Sequence, residues 1–219
     1  MSVATIYTAQ GAVAGGITVS VEADLSRGLH AFSIVGLPGK AVEEAKDRVN
    51  AAIKNSGFSA PKSQNNKIVI SLAPADIKKE GPLFDVPIAL AYLEAAEEIS
   101  IITDKRMFVG ELSLDGTLRP VRGVLPIAQA AAAHGYHELF VPKENAEEAA
   151  LVEGITVYGA STLTDIITHC SADPRSAPHL DPTPLTELKD EWSESLVRLE
   201  DIKGQEQAKR ALVIAAAGR

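Results

Sequence analysis

The residues able to do chemistry are few, and their spacing is poor for it. One Gly-Lys pair, Gly39-Lys40, invites a test for a phosphate loop. Such a loop needs a glycine five residues earlier and a Ser or Thr after the lysine, so that backbone amides and the ammonium converge on phosphate oxygens. Ile34 and Ala41 stand there instead, so the run Gly36-Leu37-Pro38-Gly39 is expected to be a turn leading into a helix. Gly11, Gly15 and Gly16 miss the dinucleotide spacing and are expected in a loop. His134 and His137 are close, but Gly135 separates a helix end from a strand start, and no Cys pair joins them or His30, His169 and His179. Cys170 follows His169 directly; adjacent helical residues point apart, which makes a poor nucleophile–base pair. Glu80 and Asp85 flank Gly81-Pro82 and read as a solvated turn. Lys62, Lys67, Lys78 and Lys79 could form a basic patch around one strand. Aromatics to interleave with them make up 5% of the chain, so scattered surface lysines are the expected reading.

The elements that must position these residues alternate. The chain has 219 residues, with 46% hydrophobic residues and a net charge of −8, enough for a packed core and unlike a disordered chain. Residues 1–170 carry 14 basic and 20 acidic residues, a balance of −6 that does not favour an autonomous nucleic-acid binder. No apolar run is long enough for a membrane span, no secretory signal is visible, and a single cysteine suits a reducing compartment. A cytoplasmic protein with no membrane partner is expected.

Period-2 patterning predicts strands over Ile17–Leu25 and His30–Val35, the latter after a hairpin turn at Arg27-Gly28. Period-3.6 patterning predicts a helix over Lys40–Ser56, ended by Gly57. A strand at Lys67–Leu72 and a buried helix at Asp85–Ala96 follow. Met107–Leu112 and Thr117–Val121 flank Asp115-Gly116, a hairpin signal. Helices at Val124–His134, Lys143–Leu151 and Thr162–His169 interleave with strands at Glu138–Val141 and Ile155–Gly159. This is an α/β pattern, a two-layer sandwich with a mixed sheet. Pro174, Pro178, Pro182 and Pro184 then mark an extended linker over residues 171–195. A helix over Gln205–Ala217 opens a separate segment at 196–219.

Two blocks carry a resemblance. Residues 32–58 (FSIVGLPGKAVEEAKDRVNAAIKNSGF), continued by 70–90 (ISLAPADIKKEGPLFDVPIAL), and residues 201–218 (DIKGQEQAKRALVIAAAG) resemble the magnesium-chelatase-like AAA+ ATPases of the YifB or ComM type. The resemblance covers essentially the whole chain. It implies an N-terminal domain of the ribosomal protein S5 domain 2-like fold, similar to the proteolytic domain of Lon. It implies a chain ending just before the phosphate loop.

Residues 108–124 and 139–145 look Lon-like as well. Lon-type peptidases pair a Ser nucleophile in G-P-S-A-G with a Lys base in G-G-L-K. Here Gly81-Pro82 is followed by Leu83, and Arg122-Gly123-Val124 by Leu125. Leucine carries neither a nucleophile nor a proton acceptor, so no Ser-Lys chemistry is expected at either position. A nucleophile relocated to Ser71 or Ser113 is the alternative hydrolase reading. Ile202, Gly204 and Gln205 resemble the segment beside the adenine of bound nucleotide.

The resemblance implies ATP and Mg2+ for the full-length protein, though none for this chain alone. It implies a self-assembled ring, a hexamer, and DNA as a further partner, as in ComM-type branch-migration helicases. The competing expectation, motivated by the acidic balance, is a protein-interaction or chaperone-like regulatory domain that does not bind DNA.

Overall fold

A computed structural model describes residues 3–12, 15–63, 65–173, 175–177, 179–187 and 198–218. The chain forms two compact units, Met1–Thr186 and Glu187–Arg219. The first is α/β.

Its larger sheet has the order β1-β2-β4-β3. Strands β1 (Val3–Ala12) and β2 (Gly15–Arg27) form an antiparallel hairpin in register from Val3↔Asp24 to Ala12↔Gly15. Strand β4 (Asn66–Ala73) lies antiparallel to β2, and β3 (Ala31–Val35) lies parallel to β4 on its far side. The sheet is therefore mixed, as expected. The expected hairpin at Arg27-Gly28 is not formed. The Gly28 N–H donates to the Asn65 carbonyl (3.1 Å), and the chain crosses over to pair with β4. A parallel neighbour needs such a crossover, and α1 (Lys40–Glu43) and α2 (Ala45–Asn55) follow β3 on the way to β4.

The alternation that predicts β2 is real. Val19, Val21 and Ala23 are fully buried, and β4 buries Ile68, Ile70 and Leu72 beside them. Helix α3 (Asp85–Ala95) is buried at every position except Glu94, so it reads as a continuous apolar run rather than a stripe. It packs on β1, β2 and α2. Helix α4 (Val124–Ala133) covers the β1–β2 hairpin. A Cβ on Gly16 would lie 2.6 Å from the Ala130 Cβ, so that glycine lets the hairpin close on α4.

A second, parallel sheet has the order β5-β8-β9, from Arg106–Phe108, Glu138–Pro142 and Thr156–Ala160. The Asp115-Gly116 turn joins β6 (Glu111–Leu112) to β7 (Leu118–Arg119), a two-residue ladder. The expected strand Met107–Leu112 breaks between β5 and β6, where Gly110 packs against Val86 and Leu118. The expected helix Lys143–Leu151 shortens to a 3-10 turn and α5 (Ala146–Ala149). Helix α6 (Leu163–Cys170) opens with a capping box between Thr162 and Asp165.

The compact unit runs on past residue 170, where the boundary was expected. The Thr183 N–H donates to the Val157 carbonyl (2.8 Å), and the Thr186 N–H to the Ala150 carbonyl (3.0 Å). The described part of the expected linker up to Thr186 is thus a strap along the body. Residues 188–197 lie outside the described residues. The second unit holds α7 (Glu206–Ala217), close to its expected span, with Leu212, Val213 and Ile214 exposed. Among the described residues, no helix is long and apolar enough to cross a membrane.

Candidate functional site

The cleft that could hold a ligand opens where the end of β1 meets two loops. It measures about 520 Å³ and is lined by Gln10, Lys78, Glu80, Leu83, Glu111 and Arg122, among others. Gln10 joins its two sides. The side-chain Nε2 donates to the Lys78 carbonyl (2.9 Å), and Oε1 accepts from the Glu80 N–H (3.3 Å). The 78–80 strip is also tied to the Gly36–Gly39 turn. The Lys79 N–H donates to the Leu37 carbonyl (3.1 Å), and the Gly39 N–H to the Lys79 carbonyl (2.8 Å). That turn needs its first glycine: φ at Gly36 is 97°, and a Cβ there would lie 2.0 Å from the Leu72 oxygen. Gly39-Lys40 is therefore a turn and helix start, as its spacing predicts.

Leu83 stands in the cleft wall, 7% exposed, in the 3-10 turn Pro82–Phe84 that leads into α3. Its carbonyl accepts from the Gly110 N–H (3.1 Å), and the Gly110 carbonyl accepts from the Val86 N–H (3.1 Å). Leu125 is half-buried in the first turn of α4, just beyond the lining residues Val121 and Arg122. Two side chains from the α5 region hold that segment. Asn145 Oδ1 accepts from the Val121 N–H (2.8 Å), and its Nδ2 donates to the Val121 carbonyl (2.9 Å). Glu148 Oε1 accepts from the Leu125 N–H (3.1 Å), which places a carboxylate on the first turn of α4. The two leucines named by the Lon resemblance thus stand at or beside one cleft, on firmly held backbone, and neither side chain can attack or take a proton. Ser113 offers no replacement. Its Oγ accepts from Arg119 Nε (2.6 Å), and a guanidinium is no base. Ser71 lies on β4, and among the described residues no base is hydrogen-bonded to its side chain.

At the start of α3, just after the turn that holds Leu83, is an ion pair that the sequence reading missed. Asp85, expected in a solvated turn, is fully buried. Arg48 Nε donates to Oδ2 (2.7 Å) and Nη2 to Oδ1 (2.9 Å), and the Leu112 N–H also donates to Oδ2 (3.1 Å). Burial pushes the Asp85 carboxyl up to about 6, against the opposing pull of Arg48. Glu80 is exposed and pairs with Lys78 (2.7 Å). Lys79 corrects the surface-lysine reading. Its side chain is fully buried, and its ammonium donates to the Pro74 carbonyl. Desolvation holds it below the ordinary lysine value. Lys62 pairs with Asp47 (2.8 Å). The four lysines form no common patch: one is buried and two are in exposed pairs. Arg122 has no ion-pair partner among the described residues.

Cys170 is fully buried, and burial pushes its thiol up to about 12, so it is no nucleophile at neutral pH. Among the described residues, no three His, Cys, Asp or Glu side chains converge as a metal site would need. In the second unit, Gly204 and Gln205 both have positive φ (72° and 57°) and lead into α7. The Ile202 carbonyl accepts from Lys209 Nζ (3.2 Å). These residues offer an apolar and backbone surface and no cradle for phosphates, so by themselves they do not fit a whole nucleotide.

The chain is 40% identical to competence protein ComM of Haemophilus influenzae over 226 residues, covering 100% of this chain and 42% of ComM. It is 38% identical to the uncharacterized protein YifB of Escherichia coli over 225 residues, covering 100% of this chain and 41% of YifB. It is 28% identical to Lon protease homolog 2, peroxisomal, of Caenorhabditis elegans over 162 residues, 70% of this chain and 21% of that protein. The chain spans about two fifths of the length of the ComM and YifB relatives. Residues 21–145 match the family model for subunit ChlI of Mg-chelatase. With more than half its length so matched, the chain belongs to the Mg-chelatase ChlI-like family that ComM and YifB share.

Proposed function

We propose that residues 1–186 are a non-catalytic, Lon-like module of the ribosomal protein S5 domain 2-like fold, serving a longer magnesium-chelatase-like ATPase. The observation that carries this reading is the cleft wall. Leu83 and the adjoining Leu125 stand where the Lon resemblance requires nucleophile and base, and the backbone around both is hydrogen-bonded in place. A fold can keep its frame when the chemistry is gone, because activity lives in side chains. The full-length protein then binds ATP and Mg2+ through residues following Ile202, Gly204 and Gln205. It assembles as a hexameric ring in the cytoplasm and acts on DNA as a ComM-type branch-migration helicase. The test is an ATPase assay of residues 1–219 beside the full-length chain. Turnover is expected in the longer protein alone; turnover by 1–219 overturns the reading. A serine-reactive phosphonate is expected to label nothing in 1–219, and labelling of Ser71 or Ser113 would revive the hydrolase reading.

A second reading has its own support. Residues 1–170 carry a charge of −6, the cleft cation Lys78 faces Glu80 (2.7 Å), and the cleft carboxylate Glu111 faces the neighbouring Arg119 (3.9 Å). Such a surface suits a docked protein better than a phosphate backbone. Fluorescence anisotropy of 1–219 against single-stranded, duplex and four-way-junction DNA at two salt concentrations separates the two. Salt-sensitive binding places DNA contact in this module. No binding at low salt leaves it a docking or assembly module, with DNA contact elsewhere in the longer protein.

A further inference from the structure

The strap over residues 179–186 is fastened to the body through few bonds, and one of them depends on a proton. His169, on α6, is 5% exposed, and its Nδ1 accepts from the Leu180 N–H at 3.1 Å. An imidazole nitrogen can accept there only when it carries no proton, so the neutral ring with its proton on Nε2 is the form that fits. Among the described residues, the strap is also held by Leu180 packed on the core, by the partly solvated His179–Asp165 pair treated below, and by four contacts without a titratable group: backbone bonds at Thr183 and Thr186, a bridge between Tyr158 and Pro182, and the Thr186 hydroxyl on the Glu147 carbonyl (2.7 Å). Those last four contacts do not titrate between pH 5 and 8.

We propose that His169 is a pH-sensitive latch: neutral, it holds the strap against β9 and α6, and protonated, it releases residues 179–186 from the body.

The groups facing His169 set the direction. Its ring lies 4.5 Å from the Tyr158 ring of β9 and edge-on to Phe140 of β8 (5.5 Å). Arg106 of β5 and Glu138 of β8 face it as a pair (2.5 Å), so their charges largely cancel. His179 of the strap lies 6.2 Å away, ring centre to ring centre. On its own helix, Cys170 carries a thiol that stays protonated. Burial holds the His169 imidazolium below the ordinary histidine value, Arg106 and His179 add to this, and Glu138 opposes it. The docked strap therefore binds fewer protons than the free one. Its stability is complete above the ordinary value of about 6.5 and falls as pH drops through it.

His179 works in the other direction. Protonated, it faces Asp165 at 3.7 Å and would favour docking. That pair is partly solvated, and exposed pairs contribute little, whereas the Leu180 bond lies against a buried ring. Release would free about eight residues, on the order of 25 Å of extended chain, lengthening the tether that leads into residues 187–219.

The test is amide hydrogen exchange of the full 219-residue chain between pH 7.5 and 5.5, corrected for intrinsic exchange. The latch predicts that protection at Leu180 and Thr183 falls up to about tenfold, while Thr156, bonded to the His137 carbonyl, keeps its protection. His179→Ala should preserve the fall, and His169→Gln, which offers an acceptor that does not titrate, should abolish it. A nitrogen NMR titration of the unaltered protein covers failure of the variant to fold: the Leu180 amide shift should move with the His169 ring, from an Nε2–H form. Flat protection at Leu180 and Thr183, a fall removed by His179→Ala, or a Leu180 amide that ignores the His169 titration would each overturn the latch.

Discussion

The cleft and the strap are held in opposite ways. At the cleft, buried side chains fix the backbone redundantly. Asp85 takes three hydrogen bonds, Asn145 makes both bonds to Val121, and Gln10 spans the loop at residues 78–80. At the strap, a short extended segment rests on a few backbone bonds and one titratable acceptor. Groups that are buried and fully paired make a rigid frame. A contact made by few bonds at the edge of a sheet opens more readily. The cleft is thus the firmly built place, and the strap is the conditional one.

The contrast can be broken most sharply at Arg48. Arg48→Leu leaves the Asp85 carboxylate buried and unpaired, so unfolding in urea at pH 7 should show a loss of about 3–5 kcal/mol. The loss should shrink at pH 5, where Asp85 can take up a proton. A loss under about 1 kcal/mol at pH 7 would mean that the frame does not depend on this pair. The next effect is the pH profile itself. A carboxyl held near 6 in the folded protein and near 3.8 when unfolded makes the fold more stable as pH falls from about 6 toward 4. Relative to Asp85→Asn, the unaltered protein should gain up to about 3 kcal/mol between pH 7 and pH 4. Parallel profiles would contradict this. Asn145→Ala strands the Val121 N–H and carbonyl and should lower stability by about 2 kcal/mol, read by thermal unfolding. The smallest effect tests the exposed rim. Lys78→Ala removes an ion pair whose side chains are 67% and 69% exposed, and should change stability by less than about 0.5 kcal/mol. A larger change would extend the rigid frame to the cleft mouth.

Much of the frame is legible in the sequence because its signals are local. The apolar run of α3, the alternation of β2 and β4, and the Asp115-Gly116 turn each announce themselves within a short window, whereas the prolines past residue 170 read as a linker where Pro182 in fact lies in a strap bridged to Tyr158. Strand β1 does not. Its buried face is Ala4, Ile6, Thr8 and Gln10, too weakly apolar to stand out, and its stability comes from the ladder with β2. The turn at Arg27-Gly28 looks like a hairpin because nothing nearby says that β3 will pair with β4 instead. The cleft divides in the same way. Leu83 and Leu125 can be named from the resemblance. Gln10, Arg48 and Asn145 cannot, because each finds its partner 68, 37 and 24 residues away. Lys79 misleads for a related reason. A lysine in a polar stretch reads as surface, but here its backbone is bonded to Leu37 and Gly39 and its ammonium turns inward to the Pro74 carbonyl.

Cys170 turns this architecture into a clock. The chain has one thiol, fully buried at the end of α6 beside the ring that holds the strap, and its carbonyl anchors the Ile102 N–H at 2.8 Å. A thiol held near 12 has almost no thiolate at pH 8. Alkylation must therefore wait for the end of α6 to open, and a single mass increment counts each opening without any label having been engineered. The rate of that increment, followed over hours, measures how often this edge of the body breathes and how much a bound partner quiets it.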